Sequence, residues 1–200
     1  MNKLLPFFAI AALFASTAQA QQQPLQLKLG DVQVAKLAYD AQKTPYFEAG
    51  SVKVKDVPNP RDWLELEAEF EVKGPRDAVV KDLLFRYYIG FKDKSGQSIT
   101  LTGDVKHVNV VAGEKYYSAV YVAPSTLGDI TGDFRRFQPT SVAAVGLEVF
   151  YNGVMVGGES STKSKFWEAT GTKPGVLPKA ETPFALLWID RYAEAEKAIR

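Results

Sequence analysis

The chain has 200 residues, of which 46% are hydrophobic, with 24 basic and 23 acidic side chains and no cysteine. A nearly neutral chain without a basic run lacks the electrostatic footprint of a nucleic-acid binder. The absence of cysteine excludes disulfides, thiolate sites and a lipid-modified cysteine, and the length suits one sizeable domain with a tail.

Residues 1–20 have the pattern of a secretory signal peptide. Lys3 lies in a short polar start, residues 4–15 are apolar, and Ala18, Gln19 and Ala20 form an A-x-A cleavage site. The apolar run is shorter than the roughly 20 residues that a membrane span needs. We therefore expect an exported protein, periplasmic or extracellular, without a stable membrane anchor.

A period of two dominates the hydrophobic pattern between residues 25 and 160, which predicts β-strands. The predicted strands cover residues 25–34, 51–55, 63–73, 83–91, 98–102, 105–111, 115–122, 141–151 and 154–161. Asn152 and Gly153 favour a type I′ hairpin, and residues 124–139 leave room for one helical turn. Short strands without intervening helices predict an all-β, immunoglobulin-like Greek-key sandwich of seven to nine strands over residues 21–168.

The composition changes near residue 169, which indicates a Gly, Pro and Lys linker over 169–181 and an amphipathic helix over 182–200. Thr182 suits a helix cap and Pro183 the first helical position. One helical stripe would hold Phe184, Leu187, Trp188, Tyr192, Ala195 and Ile199. Two alternatives stay open: the helix packs on its own sandwich, or it docks on a partner or a second copy. In either case Trp188 and Tyr192 are the expected anchors.

Four glutamates, Glu65, Glu67, Glu69 and Glu71, alternate with apolar residues in the strand predicted at 63–73. Side chains in a strand alternate between faces, so the glutamates share one face. Identical neighbours in an even row offer no means of separating their pKa values for acid and base roles. We therefore expect a solvated sheet face rather than a catalytic carboxylate pair.

The chain has a single histidine, His107, so a site with two histidine ligands cannot form within one chain. The surrounding "VKHVNVV" is an ordinary strand pattern, which favours a surface or half-buried histidine over a catalytic one. Asp129 and Asp133 lie four apart in a glycine-rich stretch. Turn formation is favoured there over a calcium site, because the spacing does not match an EF-hand.

Phe134, Arg135, Arg136 and Phe137 combine arginine with aromatics in the predicted loop, as interface hot spots and sugar-stacking sites do. An alternative is that both phenylalanines cover the end of the core. Five tyrosines could form a carbohydrate-binding platform if three stood on one exposed side: Tyr87, Tyr88, Tyr116, Tyr117 and Tyr121. Adjacent tyrosines point to opposite faces, so half of each pair is expected in the core.

A C-terminal run resembles the signature of a known family. The run consists of Thr182, Pro183, Phe184, Ala185, Trp188, Asp190, Arg191 and Tyr192, with Leu186 where the signature has a second proline. It is similar to small secreted immunoglobulin-like proteins of verrucomicrobial, mucin-degrading bacteria, which are encoded with type IV pilus-like proteins. The resemblance implies an immunoglobulin-like fold, an envelope or extracellular location, self-association and a role beside pili. It implies no catalytic residues.

Three functions remain open. The first is a non-enzymatic envelope protein, pilus-associated, that binds pilus or other envelope proteins or forms a homo-oligomer. The alternative is a carbohydrate-binding module for host or environmental glycans, and the third is a hydrolase, for which no carboxylate pair is placed. No catalytic residue, metal or cofactor is predicted. The interaction candidates are Phe134, Arg135, Arg136, Phe137, Phe184, Leu187, Trp188, Arg191 and Tyr192.

Overall fold

The computed structural model describes residues 25–48, 50, 55, 57–162 and 165–196. Nine strands are present in these residues: β1 Val32–Lys43, β2 Asp62–Val72, β3 Val79–Lys92, β4 Ser98–Val111, β5 Lys115–Val122, β6 Val142–Tyr151, β7 Val154–Ser160, β8 Lys173–Pro174 and β9 Val176–Pro178. Two short helices are α1 Pro124–Thr131 and α2 Phe166–Thr170. Single 3-10 turns cover Pro139–Ser141, Lys179–Glu181 and Ile189–Arg191.

The strands form two sheets that pack as a sandwich. One sheet has the order β1-β2-β5-β9 and the other β7-β6-β3-β4-β8. All neighbouring strands are antiparallel except β4 and β8, which are parallel. The chain passes from β2 to β3 and β4 in the second sheet, returns as β5 beside β2, and then places β6 beside β3. This is the predicted immunoglobulin-like Greek-key topology. The fold class and strand number are therefore confirmed.

The core lies between the sheets and follows from the alternation in the sequence. In β2 the five residues Leu64, Leu66, Ala68, Phe70 and Val72 are fully buried. The ring of Phe70 contacts that of Phe85 across the sandwich, with centroids 4.7 Å apart. Such contacts bury the apolar residues at every second position of a strand, and the residues between them lie on the outer faces of the sheets.

Three strand predictions differ from the structure. The first strand begins at Val32 rather than residue 25 and continues to Lys43, because it pairs with β2 along its whole length. The strands predicted at 98–102 and 105–111 are one strand, since β3 pairs with it continuously through Gly103. The signal peptide and residues 51–54 of a predicted strand lie outside the described residues.

The predicted linker and C-terminal helix are wrong within the described residues. Residues of the linker form β8 and β9, one on each sheet. Residues 182–196 are turns, one 3-10 turn and two isolated β-bridges. The backbone of Trp188 is left-handed at φ 50°, and from Ala193 onward the backbone hydrogen bonds are made with β4 and β5 and not within a helix. Residues 197–200 of the predicted helix lie outside the described part.

Helix α2 covers the outer face of the five-stranded sheet. Trp167 stacks on Tyr88 with ring centroids 4.3 Å apart and planes 2° apart. Gly146 makes room for this ring, because a Cβ at that position would lie 2.2 Å from Trp167. The hydroxyl of Tyr88 donates to Glu148, which also accepts from Lys165. This sheet face is therefore occupied by the protein's own chain.

We expect Gly146→Ala to destabilise the protein by about 2 kcal/mol, because the new methyl group displaces Trp167 from Tyr88. Urea unfolding followed by tryptophan fluorescence measures this loss. Gly90→Ala is the matched control on β3, where a Cβ would lie 3.0 Å from Phe166. A cost for Gly146→Ala no greater than that of Gly90→Ala would show that Trp167 does not need this space.

Candidate functional site

The glutamate row of β2 is not a solvated face, contrary to the prediction. Glu65 accepts the hydroxyl of Tyr121, and the Glu69 carboxylate lies 2.8 Å from the ammonium of Lys115. Glu67 is only 24% exposed, and Glu71 alone of the four is exposed. Cross-strand neighbours and the C-terminal residues supply the partners, which periodicity within β2 cannot reveal.

Glu67 anchors the C-terminal segment, which we define as residues 182–196. Its carboxylate accepts from Arg191 Nε at 3.2 Å, from Arg191 Nη2 at 2.7 Å and from the Tyr192 hydroxyl at 2.9 Å. Ala38 and Ala119 are the neighbours of Glu67 on β1 and β5. Because both are small, the side chains of the segment reach the sheet surface at this point.

Arg191 is held by two kinds of contact. Its guanidinium lies 3.7 Å from the ring centroid of Tyr117, a cation–π arrangement, while it pairs with Glu67. The hydrogen bond with Glu67 raises the pKa of Arg191 above its usual value. Burial, together with the hydrogen bond to Glu67, raises the pKa of Tyr192. Both side chains therefore keep their protons, and the contact with Glu67 persists over the physiological range.

The end of the segment joins the two sheets. The N–H of Ala193 donates to the carbonyl of Tyr117 on β5 at 2.9 Å. The N–H of Val108 on β4 donates to Glu194, and the N–H of Glu196 donates to Lys106. These bonds satisfy backbone groups on the edges of both sheets, so the segment closes the side of the sandwich between β4 and β5.

His107 is fully buried beneath this closure, not surface or half-buried as predicted. Its Nε2 lies 2.6 Å from the Ser118 hydroxyl, which also receives the Tyr87 hydroxyl at 2.6 Å. Its Nδ1 lies 3.3 Å from the carbonyl of Glu194, so Nδ1–H donates there and the serine donates to Nε2. Burial lowers the pKa of His107 to about 4. The histidine is therefore neutral and structural.

Aromatic packing fixes the start of the segment. Phe184 is 2% exposed and stacks on Tyr121, with ring centroids 4.4 Å apart. Trp63 meets Phe184 edge-on at 5.8 Å, and Leu187 is half-buried against the same cluster. The indole N–H of Trp63 donates to Thr44. The predicted packing of the C-terminal residues on their own sandwich is thus present without a helix.

A group of exposed apolar side chains, which we call the apolar projection, lies between the attachment at Phe184 and the attachment at Arg191. It consists of Leu186, Trp188 and Ile189, which are 73%, 52% and 60% exposed. Beside it runs a groove of about 200 Å³ with His107 and Pro178 among its lining residues. Of the projection, only Trp188 was among the predicted interaction residues. Helical spacing missed Leu186 and Ile189 because they fall off the helical stripe, although both are large and apolar.

The four residues of the "FRRF" loop separate. Phe137 is 6% exposed and packs into the core, whereas Phe134 is 51% exposed. Arg135 and Arg136 are exposed and line a cleft together with Phe134. The alternative that the phenylalanines cover the core is therefore confirmed for Phe137 and wrong for Phe134, and an interface at this loop stays a prediction.

The tyrosine platform is not formed by the residues proposed for it. Tyr87, Tyr88 and Tyr121 are buried, and Tyr116 and Tyr117 are half-buried. We expected only one of Tyr87 and Tyr88 to be buried. Both are buried, because α2 covers the outer sheet face on which Tyr88 lies.

The aspartates of the calcium alternative take other roles. Asp133 forms the predicted turn, because its carboxylate accepts the N–H groups of Arg135 and Arg136. Asp129 lies in α1 rather than in a loop. Within the described residues, no cluster of three or more histidine or acidic side chains is arranged to hold a metal ion. The same residues contain no helix with the length and apolar character needed to cross a membrane.

We expect Phe184→Ala to destabilise the protein by about 3 kcal/mol, because it removes the ring that stacks on Tyr121. Hydrogen exchange at the amides of Ala193 and Val108 should also accelerate, since both depend on the segment. Leu186→Ala, at a 73% exposed position, is the matched control and should cost less than about 0.5 kcal/mol. Unchanged exchange in Phe184→Ala would show that the segment is held without this ring.

Stability should fall on acidification through a window set by His107. Between pH 6.5 and about 4 the unfolded chain binds a proton at this residue while the folded chain does not. The free energy of unfolding should therefore fall by about 3 kcal/mol from this group as the pH drops through the window. Urea unfolding of the wild type and of His107→Gln at several pH values isolates the effect. An equal pH slope in both proteins would contradict the neutral, buried histidine.

Comparisons with known proteins agree with this architecture. A protein-family model matches residues 21–198. A crystal structure of a protein from Akkermansia muciniphila has a TM-score of 0.72 and 29% sequence identity, covering 88% of this chain and 100% of that chain. No curated protein sequence matches significantly. The chain therefore belongs to the family whose model spans residues 21–198, and it is similar in fold to this protein of a verrucomicrobial mucin degrader.

Proposed function

We propose that the protein is an exported, non-enzymatic protein of the cell envelope that acts by binding other proteins. The observation that carries this proposal is the apolar projection of Leu186, Trp188 and Ile189. Three large apolar side chains in four residues, outside the protein's own core, are typical of a binding surface. Tryptophan in particular is enriched among residues that dominate binding energies.

The backbone of Trp188 supports a binding role. A left-handed conformation at a bulky residue costs about 1–2 kcal/mol, and glycine or asparagine would adopt it more easily. The side chain is 52% exposed, so burial within the protein offsets little of that cost. Strain retained at an exposed aromatic residue is the pattern found at functional sites.

The remaining parts of the proposal follow from the sequence and the buried groups. The signal-peptide pattern of residues 1–20 supports export. His107 is the one histidine, and it is enclosed by Ser118, Tyr87 and the segment, which supports a non-enzymatic role. The family resemblance makes type IV pilus proteins or other envelope proteins the first partners to examine, and a second copy of the chain is a further partner.

Trp188→Asn should separate binding from folding. Asparagine tolerates the left-handed backbone, so the free energy of unfolding should stay the same or rise by up to about 1 kcal/mol. Capture of an envelope protein should be lost. The measurement is photo-crosslinking in the native cell from a reactive residue at position 186, with and without Trp188→Asn, followed by mass spectrometry.

Val154→Ala is the matched control, because Val154 is 58% exposed on β7, at the opposite edge of the other sheet. It should leave capture unchanged. Sedimentation of the purified protein identifies a second copy as the partner if the wild type self-associates and Trp188→Asn does not. Capture that survives Trp188→Asn, or that is equally lost in Val154→Ala, would exclude the projection as the interface.

A further inference from the structure

A cationic cleft lies at the end of the sandwich where β1 ends and β2 begins. Four basic residues line it: Lys43 and Arg61 from the strand ends, and Arg135 and Arg136 from the loop after α1. The remaining lining residues are Pro58, Asn59, Pro60 and Phe134, and the cleft encloses about 660 Å³. Among the described residues no carboxylate lines the cleft, and its four basic side chains give these walls a positive charge on a chain that is nearly neutral.

Three of the four cations form no ion pair in the described part of the chain, although Arg136 interacts electrostatically with Asp62 and both loop arginines with Asp133. Lys43 pairs with Asp62 at 2.8 Å. Arg61, Arg135 and Arg136 are exposed, and none forms an ion pair with a described residue. A guanidinium offers a planar fork of donors that matches a carboxylate, so three unpaired forks around one cleft are suited to several anionic groups.

The loop that presents the arginines is held in place. The carboxylate of Asp133 accepts the backbone N–H of Arg135 at 2.8 Å and that of Arg136 at 3.1 Å. The N–H of Phe137 donates to Asp62 at 3.2 Å, and its ring is buried in the core. The backbone of the loop is therefore fixed before a ligand arrives, which lowers the entropy lost on binding.

Phe134 gives the cleft an apolar surface. Its ring lies against Gly128 of α1, where a Cβ would come within 2.3 Å of it. The glycine thus allows the ring to lie on the helix, while 51% of the residue stays exposed. Pro58 and Pro60 add further apolar surface to the lining of the cleft. The ligand therefore needs an apolar group beside its negative charges.

We propose that this cleft binds an acidic peptide segment of another protein, with carboxylates on Arg61, Arg135 and Arg136 and an apolar side chain on Phe134. Three guanidinium groups around one cleft favour a ligand with several negative charges over a neutral sugar. A peptide in which acidic residues flank an apolar one satisfies both the charges and the ring. This surface is distinct from the apolar projection.

A fluorescein-labelled peptide in which glutamates flank a leucine is the probe, and fluorescence anisotropy measures its binding to the mature chain. Binding should weaken as salt is raised above about 0.15 M, because the contacts are charged. The double variant R135A/R136A should weaken binding by about tenfold or more. Phe134→Ala should weaken it less, and the same peptide with lysine in place of glutamate should not bind.

The matched control is K73A/R76A, which removes the same charge from exposed residues beyond the other end of β2. It should change the affinity by less than about twofold. Thermal unfolding of each variant checks that it is folded. The melting temperatures should be close to that of the wild type, because the substituted side chains make no hydrogen bond within the described chain.

The proposal is overturned if the peptide does not bind, or if K73A/R76A weakens binding as much as R135A/R136A. It is also overturned in favour of a sulfated glycan if a heparin oligosaccharide binds in an arginine-dependent way and the peptide does not. Trp188→Asn should leave peptide binding unchanged. Failure at the cleft and failure at the projection are therefore distinguishable.

Discussion

The backbone groups on the edges of β4 and β5 need hydrogen-bond partners, and the chain from β8 to residue 196 supplies them. β8 pairs with β4 at Leu101 and Thr102, and β9 pairs with β5 from Val120 to Val122. The C-terminal segment then bonds to β5 at Tyr117 and to β4 at Lys106 and Val108. An uncovered edge would expose a row of backbone donors and acceptors to other chains. What looks like a linker and a tail is therefore part of the sandwich.

Anchoring on both sides explains the geometry of the projection. Phe184 attaches the chain before it by stacking on Tyr121, and Arg191 attaches the chain after it through Glu67. A partly exposed ion pair contributes little by itself, so most of the attachment energy comes from aromatic burial and edge hydrogen bonds. The ion pair with Glu67 instead fixes the position of Arg191 on the sheet. Between two fixed ends, the chain has to turn sharply, and Trp188 takes the left-handed conformation.

Periodicity predicted the sandwich because each strand buries one phase against the other sheet, and the alternation in β2 reproduces that division. It failed at the C-terminus for a physical reason. Phe184, Leu187 and Tyr192 have helical spacing, yet all three contact the same cluster on the sheet without a helix, Tyr192 from an isolated β-bridge. The spacing of hydrophobic residues in a sequence indicates which side chains are buried, but it does not determine the backbone conformation between them.

Residues of the candidate sites could be predicted only where the neighbouring sequence indicates an exposed loop. The exposed arginines of the "FRRF" loop were found, whereas Arg61 and Lys43 join them only through the pairing of β1 with β2. The environment of His107 likewise depends on Glu194, far along the chain. Long-range contacts of this kind are absent from a single sequence, so charge and burial at these positions required the fold.

A nearly neutral charge conceals a separation of charge over the surface. Glu67, Glu69 and Glu148 are each paired with a cation of the same chain. Arg135 and Arg136, in contrast, donate their backbone N–H groups to Asp133, and their guanidinium groups form no ion pair within the described residues. Internal pairing therefore neutralises these three carboxylates, while Arg61, Arg135 and Arg136 around the cleft form no ion pair in the described chain. Because three such guanidinium groups surround one cleft, their charges add there in the attraction of an approaching anion. Net charge alone would have excluded such a surface, whereas the distribution of partners reveals it.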